Sequence, residues 1–88
     1  MPTTATATIT VRVLLFAGYA ELLELDDTEL VLQSPATIAD ALDRLRSLPG
    51  GQRLPPKPLC ALNLSQAPVN TPLKAGDELA ILPPLAGG

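Results

Sequence analysis

Two glycines, Gly87 and Gly88, close this 88-residue sequence, and Leu82, Pro83, Pro84, Leu85 and Ala86 stand immediately before them. The prolines stiffen the chain as it leaves an apolar run, and the side chains then shrink to a methyl group and finally to nothing. So thin a segment can enter a narrow active site of another protein, and the group it would present there is the α-carboxylate of Gly88. With glycine at about 7% of residues, a terminal doublet arises by chance about one time in 200, so its setting carries more weight than its existence. It follows directly on Asp77-Glu78-Leu79-Ala80-Ile81-Leu82, a strand-like run, and not on the polar sequence that usually precedes a disordered end. The expectation is a flexible tail, residues 83–88, launched from a rigid base, with Gly88 as the functional group.

Few other residues compete for that role. The chain has no histidine and a single cysteine, Cys60, which excludes Ser-His-Asp and Cys-His catalysis and leaves no transition-metal site. A lone cysteine forms no internal disulfide and fits a reducing compartment. Nothing near Cys60 in the sequence would lower its pKa, so it reads as a core residue and not as a nucleophile. The close carboxylate pairs, Asp26-Asp27 and Asp77-Glu78, fall in turn-like sequence, where solvated or capping roles predominate. The chain is also short for enclosing a substrate pocket. A carrier or binding module fits better than a self-contained enzyme.

The bulk properties agree. Eighty-eight residues, 47% of them hydrophobic, make one domain with one modest core. A net charge of −3, with six Lys and Arg scattered among nine Asp and Glu, argues against nucleic acid as a partner. No apolar stretch approaches the ~20 residues of a membrane helix, and Met1 to Thr8 lacks the charged and apolar regions of a signal peptide. The cytoplasm is the expected location.

The elements that must position the tail are readable from hydrophobic period. Residues 1–8 read as a loose, disordered extension and residues 9–82 as the folded domain. Ile9 to Phe16 alternates as a strand, with Ile9, Val11, Val13 and Leu15 on one face. Leu14 and Phe16 fall on the other face, either exposed there as a partner surface or covered by the next segment. Ala17 to Leu25 reads as a short helical turn, Asp26-Asp27 as a turn, and Thr28 to Gln33 as a second strand pairing antiparallel with the first. Thr37 to Leu48 is a helix: Thr37 and Asp40 have capping-box spacing, and Ile38, Ala41, Leu42, Leu45 and Leu48 form one apolar stripe. Pro49-Gly50-Gly51 stops it, and Gln52 to Pro58 reads as a proline-rich loop outside the core. Leu59 to Leu64 reads as a strand with Cys60, Leu62 and Leu64 on one face, followed by a short edge strand around Val69. Gly76 is expected at positive φ in the turn before the last strand, Glu78 to Leu82. In that strand Leu79 and Ile81 point inward, Leu82 joins Leu14 and Phe16 outside, and the first strand is the expected neighbour. This order is that of a β-grasp fold, an α+β plan with a mixed sheet and one main helix on one face.

The chain resembles the small sulfur-carrier subunits of molybdopterin synthases, a ubiquitin-like β-grasp family. The resemblance rests on Val11-Arg12-Val13-Leu14-Leu15-Phe16-Ala17 with Glu21-Leu22, on Thr37-Ile38-Ala39-Asp40-Ala41-Leu42 and on Ala61-Leu62-Asn63. Pro72-Leu73, Gly76-Asp77-Glu78-Leu79-Ala80 and the closing Pro83-Pro84-Leu85-Ala86-Gly87-Gly88 complete it. Thiamine-pathway carriers and ubiquitin share the terminal glycines, but the two prolines favour the molybdopterin branch. Ile81 and Leu82 stand where aromatic residues are common in that family.

What the resemblance implies is a cycle in molybdenum cofactor biosynthesis. An activating enzyme uses ATP to adenylate Gly88, a sulfur donor protein converts the terminus to a thiocarboxylate, and the sulfur passes to precursor Z, cyclic pyranopterin monophosphate, in the large synthase subunit. The chain would then be a non-catalytic sulfur-donor subunit, binding no cofactor and no metal of its own, in a heterotetramer with the large subunit. Pro83, Pro84, Leu85, Ala86 and Gly87 would thread into the partners, and Leu14, Phe16 and Leu82 would form the partner interface. The alternatives are a sulfur carrier of another pathway, thiamine or cysteine, or a ubiquitin-like modifier joined to lysines.

Overall fold

The computed structural model describes residues 7–55 and 58–82 of the chain, so residues 83–88, on which the tail expectations fall, lie outside the described residues, as do residues 1–6. The first strand, β1 (Thr8–Leu15), is followed by the short helix α1 (Ala17–Leu23), then β2 (Asp27–Gln33) and the main helix α2 (Ile38–Arg46). A 3-10 turn at Gly51–Arg53 leads to β3 (Leu59–Leu62), β4 (Ser65–Gln66) and β5 (Glu78–Leu82).

The five strands form one sheet in the order β2-β1-β5-β3-β4. β1 pairs antiparallel with β2 and parallel with β5, and β5 pairs antiparallel with β3. The sheet is therefore mixed, with the first and last long strands side by side at its centre. This is the β-grasp plan expected from the order of elements.

Alternation within the strands decides which face is buried. Val11, Val13, Leu79 and Ile81 are fully buried, and Leu15, Leu30, Leu32 and Cys60 nearly so. They pack against Ile38, Ala41, Leu42 and Leu45, the apolar stripe of α2, in one core cluster. Each fully buried Val, Ile or Leu contributes roughly 1.5–3 kcal/mol relative to exposure, so the α2–sheet contact dominates the stability of the domain.

The start of α2 is over-determined. Thr37 Oγ1 accepts from the Asp40 N–H at 3.4 Å, and Asp40 Oδ2 accepts from the Thr37 N–H at 2.8 Å, completing the capping box. The N–H groups of Ile38 and Ala39 donate to the carbonyls of Thr71 and Val69 at 3.0 and 2.8 Å. First-turn donors that a helix leaves without internal partners are thus satisfied by the segment before β5. Gly76, at φ 86°, makes the turn into β5 as expected.

Several local expectations are corrected. β1 begins at Thr8, which pairs with Gln33, one residue before the strand start expected at Ile9. α2 ends at Arg46, and Leu48 is only half-buried. The segment Gln52 to Pro58 is not wholly outside the core: Leu54 is 2% exposed and Pro58 is buried. Leu54, just after the 3-10 turn, joins the same core cluster as Leu45 and Cys60. The edge strand is Ser65–Gln66 and not the region of Val69, whose carbonyl is engaged at the helix start. Leu64 does not share the inward face of Cys60, because β3 stops at Leu62 and the chain reverses through Asn63 and Leu64.

Candidate functional site

The sheet face turned away from α2 follows from the register. Leu14 lies directly across from Ala80, and Ala80 across from Ala61. Two methyl groups therefore occupy the middle of a row that larger side chains border, and the result is a hollow of about 250 Å³. Leu14, Phe16 and Leu82 line one part of it; Leu64 and Glu78 line another. Phe16 remains 44% exposed, while Leu14 and Leu82 are half-buried. The three residues read from the sequence as a common patch are thus brought together. Phe16 stands just beyond β1, as N-cap of α1, and Leu82 closes β5, the strand from which residues 83–88 depart.

Leu64 is the residue sequence reasoning missed. The two-residue connection between β3 and β4 has both residues in the left-handed region, Asn63 at φ 50° and Leu64 at φ 74°. Such a turn suits the twist of a hairpin but favours Asn followed by Gly. A leucine there carries a backbone cost of about 1–2 kcal/mol, and this one is 91% exposed. The signal was Asn63 itself, a turn former at the end of the apolar run Leu59 to Leu62.

Hydrogen bonds hold that turn against the start of β5. Asn63 Nδ2 donates to Asp77 Oδ1 at 2.9 Å, and the Glu78 N–H donates to Asn63 Oδ1 at 2.9 Å. The Asn63 N–H donates to the Glu78 carbonyl at 2.8 Å, and Asp77 Oδ2 accepts from the Lys74 N–H at 2.7 Å. Asp77 is therefore a structural carboxylate. Asp27 pairs with Arg12 at 3.1 Å, with both side chains more than half exposed, a contact worth at most about 1 kcal/mol.

Cys60 is 1% exposed, and its Sγ donates to the Pro58 carbonyl at 3.4 Å. Burial pushes its thiol up to about 11, which keeps it protonated and unreactive at neutral pH. Among the described residues no cluster of His, Cys, Asp and Glu is arranged to hold a metal ion, and no helix is long and apolar enough to cross a membrane. Among the described residues there are larger clefts beside Tyr19 and Arg53 and beside Asp43 and Arg44. Both are open to solvent, and no buried polar side chain is found among the described residues to serve either. The apolar hollow at the root of the tail is the better candidate for recognition despite its smaller size.

Comparison with known proteins places this geometry. Residues 13–88 match the ThiS family. The molybdopterin synthase sulfur carrier subunit of Arabidopsis thaliana is 33% identical over 84 residues, covering 94% of this chain and 88% of that protein. SAMP1, a small archaeal modifier protein from Haloferax volcanii, has a structure that superposes with a TM-score of 0.77 at 28% identity, covering 90% of this chain and 99% of the other. A chain in the complex of subunits 1 and 2 of the molybdopterin-converting factor from Helicobacter pylori 26695 superposes with a TM-score of 0.66 at 25% identity, covering 91% of this chain and all of that one. With its mixed five-stranded sheet, its helix on one face and a family match that runs to Gly88, the chain belongs to the ThiS family and has the ubiquitin-like β-grasp fold.

Proposed function

We propose that this chain is the sulfur carrier of molybdenum cofactor biosynthesis, a cytoplasmic, non-catalytic subunit of a molybdopterin synthase. The observation that carries the reading is that the family match extends to Gly88 itself, and the 33% identical sulfur carrier subunit supports the choice of pathway.

In this reading a carboxylate at Gly88 is too poor an electrophile to accept sulfur directly. An adenylating enzyme converts it to an acyl-adenylate with release of pyrophosphate, and a sulfur donor protein supplies the atom that displaces AMP at the carbonyl. The thiocarboxylate so formed is a soft nucleophile, and the large synthase subunit uses it to place sulfur on precursor Z. ATP is bound by the activating partner, and this chain needs no cofactor or metal.

The domain's contribution is placement. A partner seated on Leu14, Phe16 and Leu82 holds the root of the tail. Six residues follow Leu82, the last of them Gly88, and six extended residues span at most about 20 Å. The partner's active centre must lie within that radius, and it must admit Pro83, Pro84, Leu85, Ala86 and Gly87 on the way. The large subunit fills this role, a partner supported by the complex of subunits 1 and 2 in H. pylori, and the proposed assembly is a heterotetramer.

The test is to incubate the protein with its adenylating enzyme, ATP and a sulfur source and to look by intact mass for sulfur replacing oxygen at the C-terminus. Adding one residue after Gly88, or deleting Gly88, shifts the carbonyl by about 3.3 Å, more than near-attack geometry tolerates. Both changes abolish thiocarboxylate formation and leave folding intact. Normal formation on the extended chain, without trimming, would overturn the proposal. A second reading, as a modifier joined to lysines, is favoured by the likeness to the archaeal modifier protein. It shares the adenylate but ends in a branched adduct, which the same mass measurement on protein from cells distinguishes.

A further inference from the structure

Leu64 stands where both solvent and backbone favour glycine. It is 91% exposed, at φ 74°, and the bonds from Asn63 to Asp77 and Glu78 hold the turn that projects it beside the hollow. Glu78 lies at the same border, and among the described residues its carboxylate makes no ion pair. Arg12, directly across from it on β1, is committed to Asp27, and Glu29 faces Arg12 from β2. Glu29, Arg12 and Glu78 thus form one cross-strand row, and with Asp27 this row beside the hollow carries three carboxylates and one guanidinium, of which only Asp27 is paired to it. A second copy of the chain would bring like charges together here, so the occupant is a different protein with the opposite charge.

We propose that the hollow receives an apolar side chain of the large synthase subunit with a lysine or arginine beside it, Leu64 closing over the apolar group and Glu78 taking the cation. The inference rests on the partner reading above and adds the chemistry of the contact. Ala61 and Ala80 leave the depth for one large apolar side chain, and a cation placed against Glu78 fixes its orientation.

The experiment measures binding of the purified large subunit of the same organism's molybdopterin synthase to the intact chain and to Leu64→Gly, Leu64→Asn and Glu78→Gln, at low and high ionic strength. Glycine and asparagine both suit the left-handed backbone, so the two Leu64 variants melt no lower than the parent protein, yet each binds about tenfold more weakly. Glu78→Gln binds about threefold more weakly at low ionic strength, and its affinity depends less on salt. If the parent protein binds and all three variants bind equally well with the same salt dependence, this inference is overturned and the partner reading stands. If the parent protein does not bind, or self-associates in place of binding, the partner reading falls and takes the inference with it.

Discussion

Asn63 and Asp77, fourteen residues apart, are joined by a hydrogen bond of 2.9 Å from the amide Nδ2 to the carboxylate Oδ1. The same asparagine accepts from the Glu78 N–H, so the β3–β4 hairpin and the first residue of β5 form one unit. That unit sets Leu64 and Glu78 on the border of the hollow that Leu14, Phe16 and Leu82 share.

Asn63→Ala removes both side-chain bonds and leaves a non-glycine residue at φ 50°. The expected cost is about 1–2 kcal/mol, measured by urea denaturation with an unchanged m-value. No loss of stability would show that the network does not hold the hairpin.

Two glycines should respond with opposite signs. A Cβ on Gly50, at φ 83°, would lie 2.0 Å from the Leu22 carbonyl oxygen, so Gly50→Ala should destabilise by roughly 2–4 kcal/mol. A Cβ on Gly18, within α1, meets nothing within 4 Å, and Gly18→Ala should stabilise by up to about 1 kcal/mol. Thermal melts of the two variants side by side decide the matter.

The raised thiol pKa of Cys60, about 11 against an ordinary 9.0, makes stability depend on pH. The folded state holds its proton more tightly than the unfolded state, so the contribution is complete below pH 9 and is lost as pH rises from 9 to 11. Cys60→Ser, whose hydroxyl does not titrate in this range, should flatten the stability profile there. Native protein should also resist thiol reagents at pH 8 and react once denatured.

Phe16→Ala should weaken binding of the large subunit by about 1 kcal/mol or more with little effect on folding, since the ring is 44% exposed. Val31→Ser tests locality. Val31 is 51% exposed on β2, on the same outer face, but does not line the hollow. Its replacement should leave affinity unchanged, and equal losses in both variants would spread the interface over the whole sheet face.

The helix, its cap, the inward residues of β1 and β5, the antiparallel pairing of β2 and the turn at Gly76 were all legible in the sequence, because each depends on a local period or a local backbone preference. Ile38, Ala41, Leu42 and Leu45 recur at helical spacing, and Thr37 and Asp40 satisfy each other within one turn. Leu54 and Leu64 were misread for different reasons. Leu54 belongs to no periodic run and is buried by tertiary packing alone, whereas Leu64 continues the alternation of Cys60 and Leu62 but is exposed because the strand ended two residues sooner than that alternation suggested.

By itself the sequence determined the absence of histidine chemistry, the apolar stripe of the helix and the glycine doublet at Gly87 and Gly88. Only the tertiary structure decided that Leu14, Ala61 and Ala80 form one row across three strands, with Leu64 and Glu78 at its border. That row depends on a parallel pairing between β1 and β5, more than sixty residues apart, and on a hairpin whose turn position no periodic pattern marks. Register across a sheet is set by the packing of the buried face as a whole; a shift of one residue would turn every one of these side chains to the other side.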